Sequence, residues 1–145
     1  MVETLTAPGK RRVVAVDVAR AIDEEVDSKS GLGGLALKGA YKVARASSRD
    51  FVPDTVERLL PEFAAKLEPI VDEHRRSSPG VPLEVYFTSR AGDVADALLS
   101  LTDEKARRTS AAAIRSTYEK MRPAARRHVE EAAPRIGGLL ARHLP

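Results

Sequence analysis

The sequence predicts an all-α fold, a single irregular bundle of about five to seven helices, some of them kinked at prolines. Apolar side chains return at every third or fourth position along most of the 145 residues, which is the spacing of one helix face. The strict alternation that is typical of strands is nearly absent. Turn-forming runs such as SSPG at 77–80 separate the helical stretches. We expect residues 1–9 to be a flexible lead-in and residues 10–145 to be one helical domain.

The first two predicted helices carry the most distinctive patterns. From Lys10 to Asp27, Val and Ile side chains recur four residues apart, which predicts an amphipathic helix. A second helix is predicted from about Leu32 to Ala46. At about 100° per residue, this helix and the residues just after it carry one basic stripe. The stripe consists of Lys38, Lys42, Arg45 and Arg49. A ladder of small residues lies beside the stripe and allows another helix to approach closely, namely Gly33, Ala36, Ala40 and Ala44.

The middle of the chain contains prolines and one ambiguous segment. Pro61 and Pro69 lie inside a helical pattern, and each removes a backbone donor. We therefore expect a break near Pro61 and a kink near Pro69. Residues 83–87, LEVYF, alternate like a strand but have no second strand to pair with. We interpret them as helix, on one apolar stripe that continues to Leu101, and we expect Thr102 to cap the next helix.

The final third has the longest helical pattern. Steps of three and four residues keep one apolar face through Pro123 and Pro134, which predicts bent consecutive helices that cover the same core. The side chains of this face are Ile114, Tyr118, Met121, Ala125, Val129, Ala132, Ile136, Leu139 and His143.

Charge is distributed unevenly along the chain. The overall net charge is +3, but it is +2 over residues 1–50, −4 over residues 51–102 and +5 over residues 103–145. The simplest explanation is that acidic residues of the middle form ion pairs with basic residues of both ends. The alternative is a basic surface that meets an anionic partner. An excess of +3 is small for a nucleic-acid-binding protein, which favours the intramolecular explanation.

No pattern in the sequence indicates a reaction. The chain has no Cys, which excludes disulfides, thiolate zinc sites and Cys nucleophiles. The glycines at 31–34 follow a helix rather than a strand, and neither a phosphate-loop pattern nor a GxSxG pattern is complete. His74, His128 and His143 lack the spacing of known metal motifs, and we interpret them as structural. We therefore predict that the protein is not an enzyme and has no catalytic residue, metal site or cofactor. The basic stripe and the run 126–128 remain as candidates for a functional surface.

The function that we expect is a non-enzymatic structural or protein-interaction module that binds a protein partner or a second copy of itself. The N-terminus has no secretory signal and no apolar run reaches the length of about 18 residues that a membrane span needs, so we expect a cytoplasmic location. An alternative is an anion-binding module for nucleic acid or acidic lipid head groups that uses the basic stripe. It is not favoured, because only Tyr41 supplies an aromatic ring beside the stripe. A third possibility is a bundle that encloses a hydrophobic small molecule.

Three groups of residues carry a resemblance to a family. The first is Lys29-Ser30-Gly31-Leu32, followed by Gly34, Ala36, Lys38, Ala40 and Tyr41; the second is Leu59-Leu60-Pro61 with Phe63, Leu67 and Pro69; the third is Tyr118-Glu119-Lys120 with Arg122-Pro123. With these motifs the whole chain resembles a small actinobacterial-type all-helical family that is carried as a domain of unknown function. The segment LEVYF departs from the plainly helical stretch that we expect in that family. The resemblance implies an all-helical fold and no established activity.

Overall fold

The computed structural model describes residues 1–28, 38–39, 41–42, 46 and 49–145. This part of the chain contains six helices and no strand, which confirms the prediction of an all-α fold. The helices are α1 (Val2–Thr6), α2 (Lys10–Ser28), α3 (Phe51–Ser77), α4 (Leu83–Ser89), α5 (Ala91–Arg108) and α6 (Ala112–His143).

The chain groups into two compact units, Met1–Pro61 and Glu62–Pro145, where the sequence led us to expect one domain from residue 10. The boundary falls inside α3. Residues 1–9, expected to be a flexible lead-in, contain α1, and Leu5 of this helix is buried.

In the first unit, α1 packs on α2. Gly9 joins them with a φ of +80°, a conformation that glycine adopts without strain. The prediction of a helix from Lys10 to Asp27 is confirmed, with one residue more at its end. The Arg12 guanidinium binds the carboxylates of Asp54 at 2.6 Å and Glu57 at 2.9 Å, which ties α2 to the first turns of α3.

Helix α3 runs without interruption from Phe51 to Ser77. The predicted break near Pro61 is therefore wrong, and the kink near Pro69 stays a prediction. A proline removes one backbone donor, but the neighbouring hydrogen bonds survive. Leu60 and Leu67 on either side of Pro61 are both buried, so the apolar face that they share offsets the loss.

In the second unit, α4 and α5 both pack on α6. The interpretation of LEVYF as helix is confirmed, but the expected continuous stripe to Leu101 is interrupted at Arg90, between α4 and α5. Arg90 leaves helical geometry at φ −114° and ψ 26°, and its guanidinium donates to the Tyr86 hydroxyl at 2.8 Å and to Glu73 at 2.9 Å. These bonds hold the corner and compensate for the interrupted helix.

Thr102 does not cap a helix, because α5 continues through it to Arg108. Its hydroxyl lies 3.0 Å from the carbonyl oxygen of Leu99, a local bond that helices tolerate at Ser and Thr. The prediction of a new helix at this point is wrong.

Helix α6 is one helix of 32 residues, with Pro123 and Pro134 inside it, rather than two or more consecutive helices. Its second half is core: Leu139 is 5% exposed. Its first half is not, since Ile114 is 60% and Met121 is 53% exposed. The prediction that the whole face covers one core is therefore wrong for the first half.

Candidate functional site

The basic stripe is described only in part. Lys38 is half-buried and Lys42 is exposed, both in helical residues, whereas Arg49 is exposed in the turn before α3. Neither Lys42 nor Arg49 forms an ion pair within the described ranges. Arg45 lies outside the described residues, as does the whole predicted packing ladder of Gly33, Ala36, Ala40 and Ala44.

The acidic middle of the chain forms ion pairs with both ends. Arg12 binds Asp54 and Glu57 within the first unit, and Arg126 binds Asp96 at 3.1 Å within the second. These pairs support the intramolecular explanation of the charge pattern. In the run 126–128, Arg126 also pairs with Glu130.

A polar cluster joins α5 to α6 around Asp103. The Arg122 guanidinium binds both carboxylate oxygens of Asp103, at 2.8 and 2.9 Å. The Tyr118 hydroxyl lies 2.5 Å from Asp103 and 2.7 Å from the Thr102 hydroxyl. The hydrogen bond from Arg122 is the main cause that lowers the pKa of Asp103, whereas burial is the main cause that raises the pKa of Tyr118. Each polar group has a partner, so the cluster serves to hold two helices together.

His74 and His128 contact neighbouring groups of the chain. Nε2 of His74 lies 2.6 Å from the carbonyl oxygen of Val81, so this nitrogen carries the proton and donates. The ring centroid of His74 lies 5.0 Å from that of Tyr86. His128 lies one turn before Glu131, with Nδ1 4.0 Å from the carboxylate. Among the described residues, no three side chains of metal-binding type come together.

The first half of α6 carries an exposed apolar surface. We call it the α6 face. It lies on one side of the helix, because its members are separated by steps of three and four residues along most of their length. A shallow, open hollow of about 450 Å³ lies over it, and Tyr118 and Arg122 complete the lining. The α6 face consists of Ala113, Ile114, Thr117, Met121 and Ala125.

Four exposed cations lie on α6 and at the end of α5. We call them the basic rim. They are exposed and form no direct ion pair within the described part of the chain. Two end α5, close to the start of α6 across a short connection, and two lie on α6 itself. The basic rim consists of Arg107, Arg108, Lys120 and Arg127.

Reasoning from the sequence missed the α6 face, because helical spacing alone does not separate a core stripe from an exposed one. The sequence signal that could have revealed this exposed surface is the density of charged residues around it. Residues 107–127 contain seven Lys or Arg and one acidic residue, Glu119. So many charged residues in a short segment are typical of a surface rather than of a core.

Within the described ranges, no helix has both the length and the apolar composition needed to cross a membrane. No curated protein and no solved structure matches the chain. A family model matches residues 1–144, which covers the motifs that carried the resemblance. The chain therefore belongs to the family of unknown function DUF6918.

Proposed function

We propose that this chain is a cytoplasmic, non-enzymatic protein-interaction module that binds a partner through the α6 face. The observation that carries the proposal is the exposure of Ile114 and Met121, at 60% and 53%, on one side of a well-formed helix. Apolar side chains that are grouped on a surface typically mark an interaction site. Covering them contributes roughly 25 cal/mol for each Å² of apolar surface removed from water.

The shape of the hollow favours a protein over a small molecule. All of its lining residues belong to α6, so it is an open helix flank rather than an enclosed cavity. A small-molecule site typically buries about 70–90% of its ligand, which one helix flank does not achieve. A second helix, in contrast, packs along such a flank by its ordinary geometry.

The polar clusters support a non-enzymatic interpretation. Asp103, Tyr118 and Arg122 bind one another between two helices, and Arg90 binds Glu73, Tyr86 and Asp93 at the corner between α4 and α5. Both arrangements are explained fully by helix packing.

Photo-crosslinking in the native host tests the proposal. A photoreactive phenylalanine analogue replaces Met121 in one variant and Ser116 in a control variant. Ser116 is exposed and lies two residues, or about 200° around the helix, from Ile114. We expect a discrete protein adduct from position 121 and none from position 116. Absence of an adduct at position 121, in cells that express the protein at its natural level, would overturn the proposal.

Anion binding is a second candidate, favoured by the exposure of Lys42 and Arg49 without ion pairs in the described part. Such binding weakens steeply with added salt. Its test is fluorescence anisotropy with a single-stranded RNA, and co-sedimentation with phosphatidylserine vesicles. A variant that changes Lys38, Lys42, Arg45 and Arg49 to Ala is expected to lose this binding. Unchanged binding by that variant would contradict the candidate.

A further inference from the structure

We infer that the partner presents an acidic amphipathic helix to the α6 face. This inference rests on the proposed function and names the chemistry of its partner. It combines two observations of the second unit, an apolar centre and a basic rim, which together specify what the occupant must offer.

The apolar centre fits a helix. Ile114, Thr117 and Met121 succeed one another at steps of three and four residues, the spacing that forms ridges and grooves along a helix. Ala113 and Ala125 also line the hollow, and their small side chains allow a second backbone to approach. A partner helix with apolar residues at the same steps would fill the hollow, as in helix-in-groove recognition.

The basic rim requires acidic side chains opposite it. The ion pairs of Arg122 with Asp103 and Arg126 with Asp96 are already formed within the chain, so these two cations contribute little further attraction. Lys120 and Arg127 form no direct ion pair in the described part. At about 100° per residue they lie on one flank of the α6 face, from which long side chains can reach the edge of a bound helix. Asp or Glu residues beside the partner's apolar stripe would meet them.

The same charges disfavour a second copy of this chain. In a twofold symmetric contact the same patch lies on both subunits, so the Lys120 and Arg127 cations of the two copies would be brought together. Like charges that face each other across an interface reduce affinity. A nucleic acid is disfavoured for a different reason: a run of bases stacks on several aromatic rings, whereas Tyr118, whose hydroxyl is held by Asp103, is the single aromatic residue that lines the hollow.

The experiment identifies the segment that crosslinks to position 121. The adduct formed in the host is digested, and mass spectrometry determines the crosslinked peptide. We expect a peptide of another protein that has excess Asp and Glu and apolar residues at steps of three and four. A second variant adds Lys120→Glu and Arg127→Glu, and we expect its adduct yield to fall at least tenfold. A control with the same change of charge adds Arg75→Glu and Arg76→Glu, two exposed cations at the end of α3, of which Arg75 lies 3.9 Å from Asp72, and we expect its yield to stay within twofold.

The outcomes separate this inference from the proposed function. A neutral or basic peptide of another protein, or an adduct yield that ignores the two rim substitutions, overturns the acidic helix and leaves the interaction module intact. A peptide of this chain overturns it in favour of self-contact, and an adduct that nuclease removes overturns it in favour of nucleic acid. Absence of any adduct at position 121 overturns both.

Discussion

Gly137 lies where α6 crosses α4, and the contact leaves no space for a side chain. A Cβ atom at this position would lie 2.8 Å from the carbonyl oxygen of Leu83 and 2.9 Å from the Cα atom of Glu84. Both are backbone atoms, which cannot rotate away. The adjacent Gly138 differs, because its Cβ would meet only the flexible carboxylate end of Glu84 at 3.6 Å.

We therefore expect opposite effects from two neighbouring substitutions. Gly137→Ala lowers the free energy of unfolding by about 1–3 kcal/mol, because overpacking outweighs the gain in helix propensity. Gly138→Ala raises it by about 0.5–1 kcal/mol, the usual gain of Ala over Gly within a helix. Urea unfolding followed by circular dichroism measures both. Equal effects of the two variants would show that α4 and α6 do not approach each other at Gly137.

Asp103 makes the second unit sensitive to acid. Arg122 lowers the pKa of Asp103 below its usual value of 3.8 in the folded chain, so the carboxylate stabilises the fold above the pKa that it has when unfolded. This contribution is lost as the pH falls through the lower, folded pKa. Lys66 lowers the pKa of Glu104 from its usual 4.5 in the same direction.

We predict that the free energy of unfolding decreases as the pH falls below about 4.5, and that it decreases less in the Asp103→Asn variant. Asn keeps the shape of Asp but has no carboxylate to protonate. The measurement is the urea midpoint between pH 7 and pH 2 for both chains. Parallel pH profiles of the two chains would be evidence against the Asp103–Arg122 pair in solution.

At the scale of the element, α6 has two halves with different roles. Ile114 and Leu139 occupy the same predicted stripe, but one is 60% and the other 5% exposed. We expect Ile114→Ala to change the free energy of unfolding by less than about 0.5 kcal/mol, as at other surface positions. Leu139→Ala should cost about 2–5 kcal/mol, because it leaves a cavity. A large loss from Ile114→Ala, measured by thermal and urea unfolding, would place the first half of α6 in the core.

Helix α3 provides a separate test, at Pro69. This residue is exposed and lies inside an uninterrupted helix, where Pro is about 3 kcal/mol less favourable than Ala. The unfolded chain of the Ala variant is more flexible, which offsets about 0.4–1 kcal/mol of the gain. We expect Pro69→Ala to raise the free energy of unfolding by about 2 kcal/mol. A decrease would indicate that the packing of α3 requires a bend at this residue.

The sequence predicts that these helices exist, but it predicts less well where they end and which other helices cover them. Helical spacing identified α2 closely and correctly made LEVYF a helix. It did not show that α3 continues through Pro61, because one lost donor weighs less than an apolar face that is buried on both sides of it. It also placed a helix end near Thr102, where the hydroxyl in fact bonds within the helix.

The position of the candidate site was less predictable than the helix that carries it. Ile114, Met121 and Ala125 of the α6 face were recognised as part of one stripe, but the stripe was assigned to the core. Burial depends on which other helices cover a stripe, and α4 contacts α6 near Gly137, far along the helix from Ile114. Local spacing contains no information about that distance.

At the scale of the whole molecule, the distribution of charge along the chain is more informative than its overall composition. The overall excess of +3 is the sum of an acidic middle and basic ends that neutralise each other through pairs such as Arg12–Asp54 and Arg126–Asp96. Of the basic rim, Lys120 and Arg127 form no direct ion pair in the described part. Membership of a family of unknown function adds support for the helical fold, and the proposed function rests on the α6 face.

The most direct test of the α6 face as a binding surface is the oxidation rate of Met121. The chain has two Met residues, Met1 and Met121, so mass spectrometry separates them easily. In the purified, folded chain we expect dilute peroxide to oxidise Met121 about as fast as a free methionine, because it is 53% exposed. In the native host we expect at least a tenfold slower reaction, since the partner covers it. Two results would contradict a partner at the α6 face: slow oxidation of Met121 in the purified chain, or the same rate, relative to free methionine, in the purified chain and in the host.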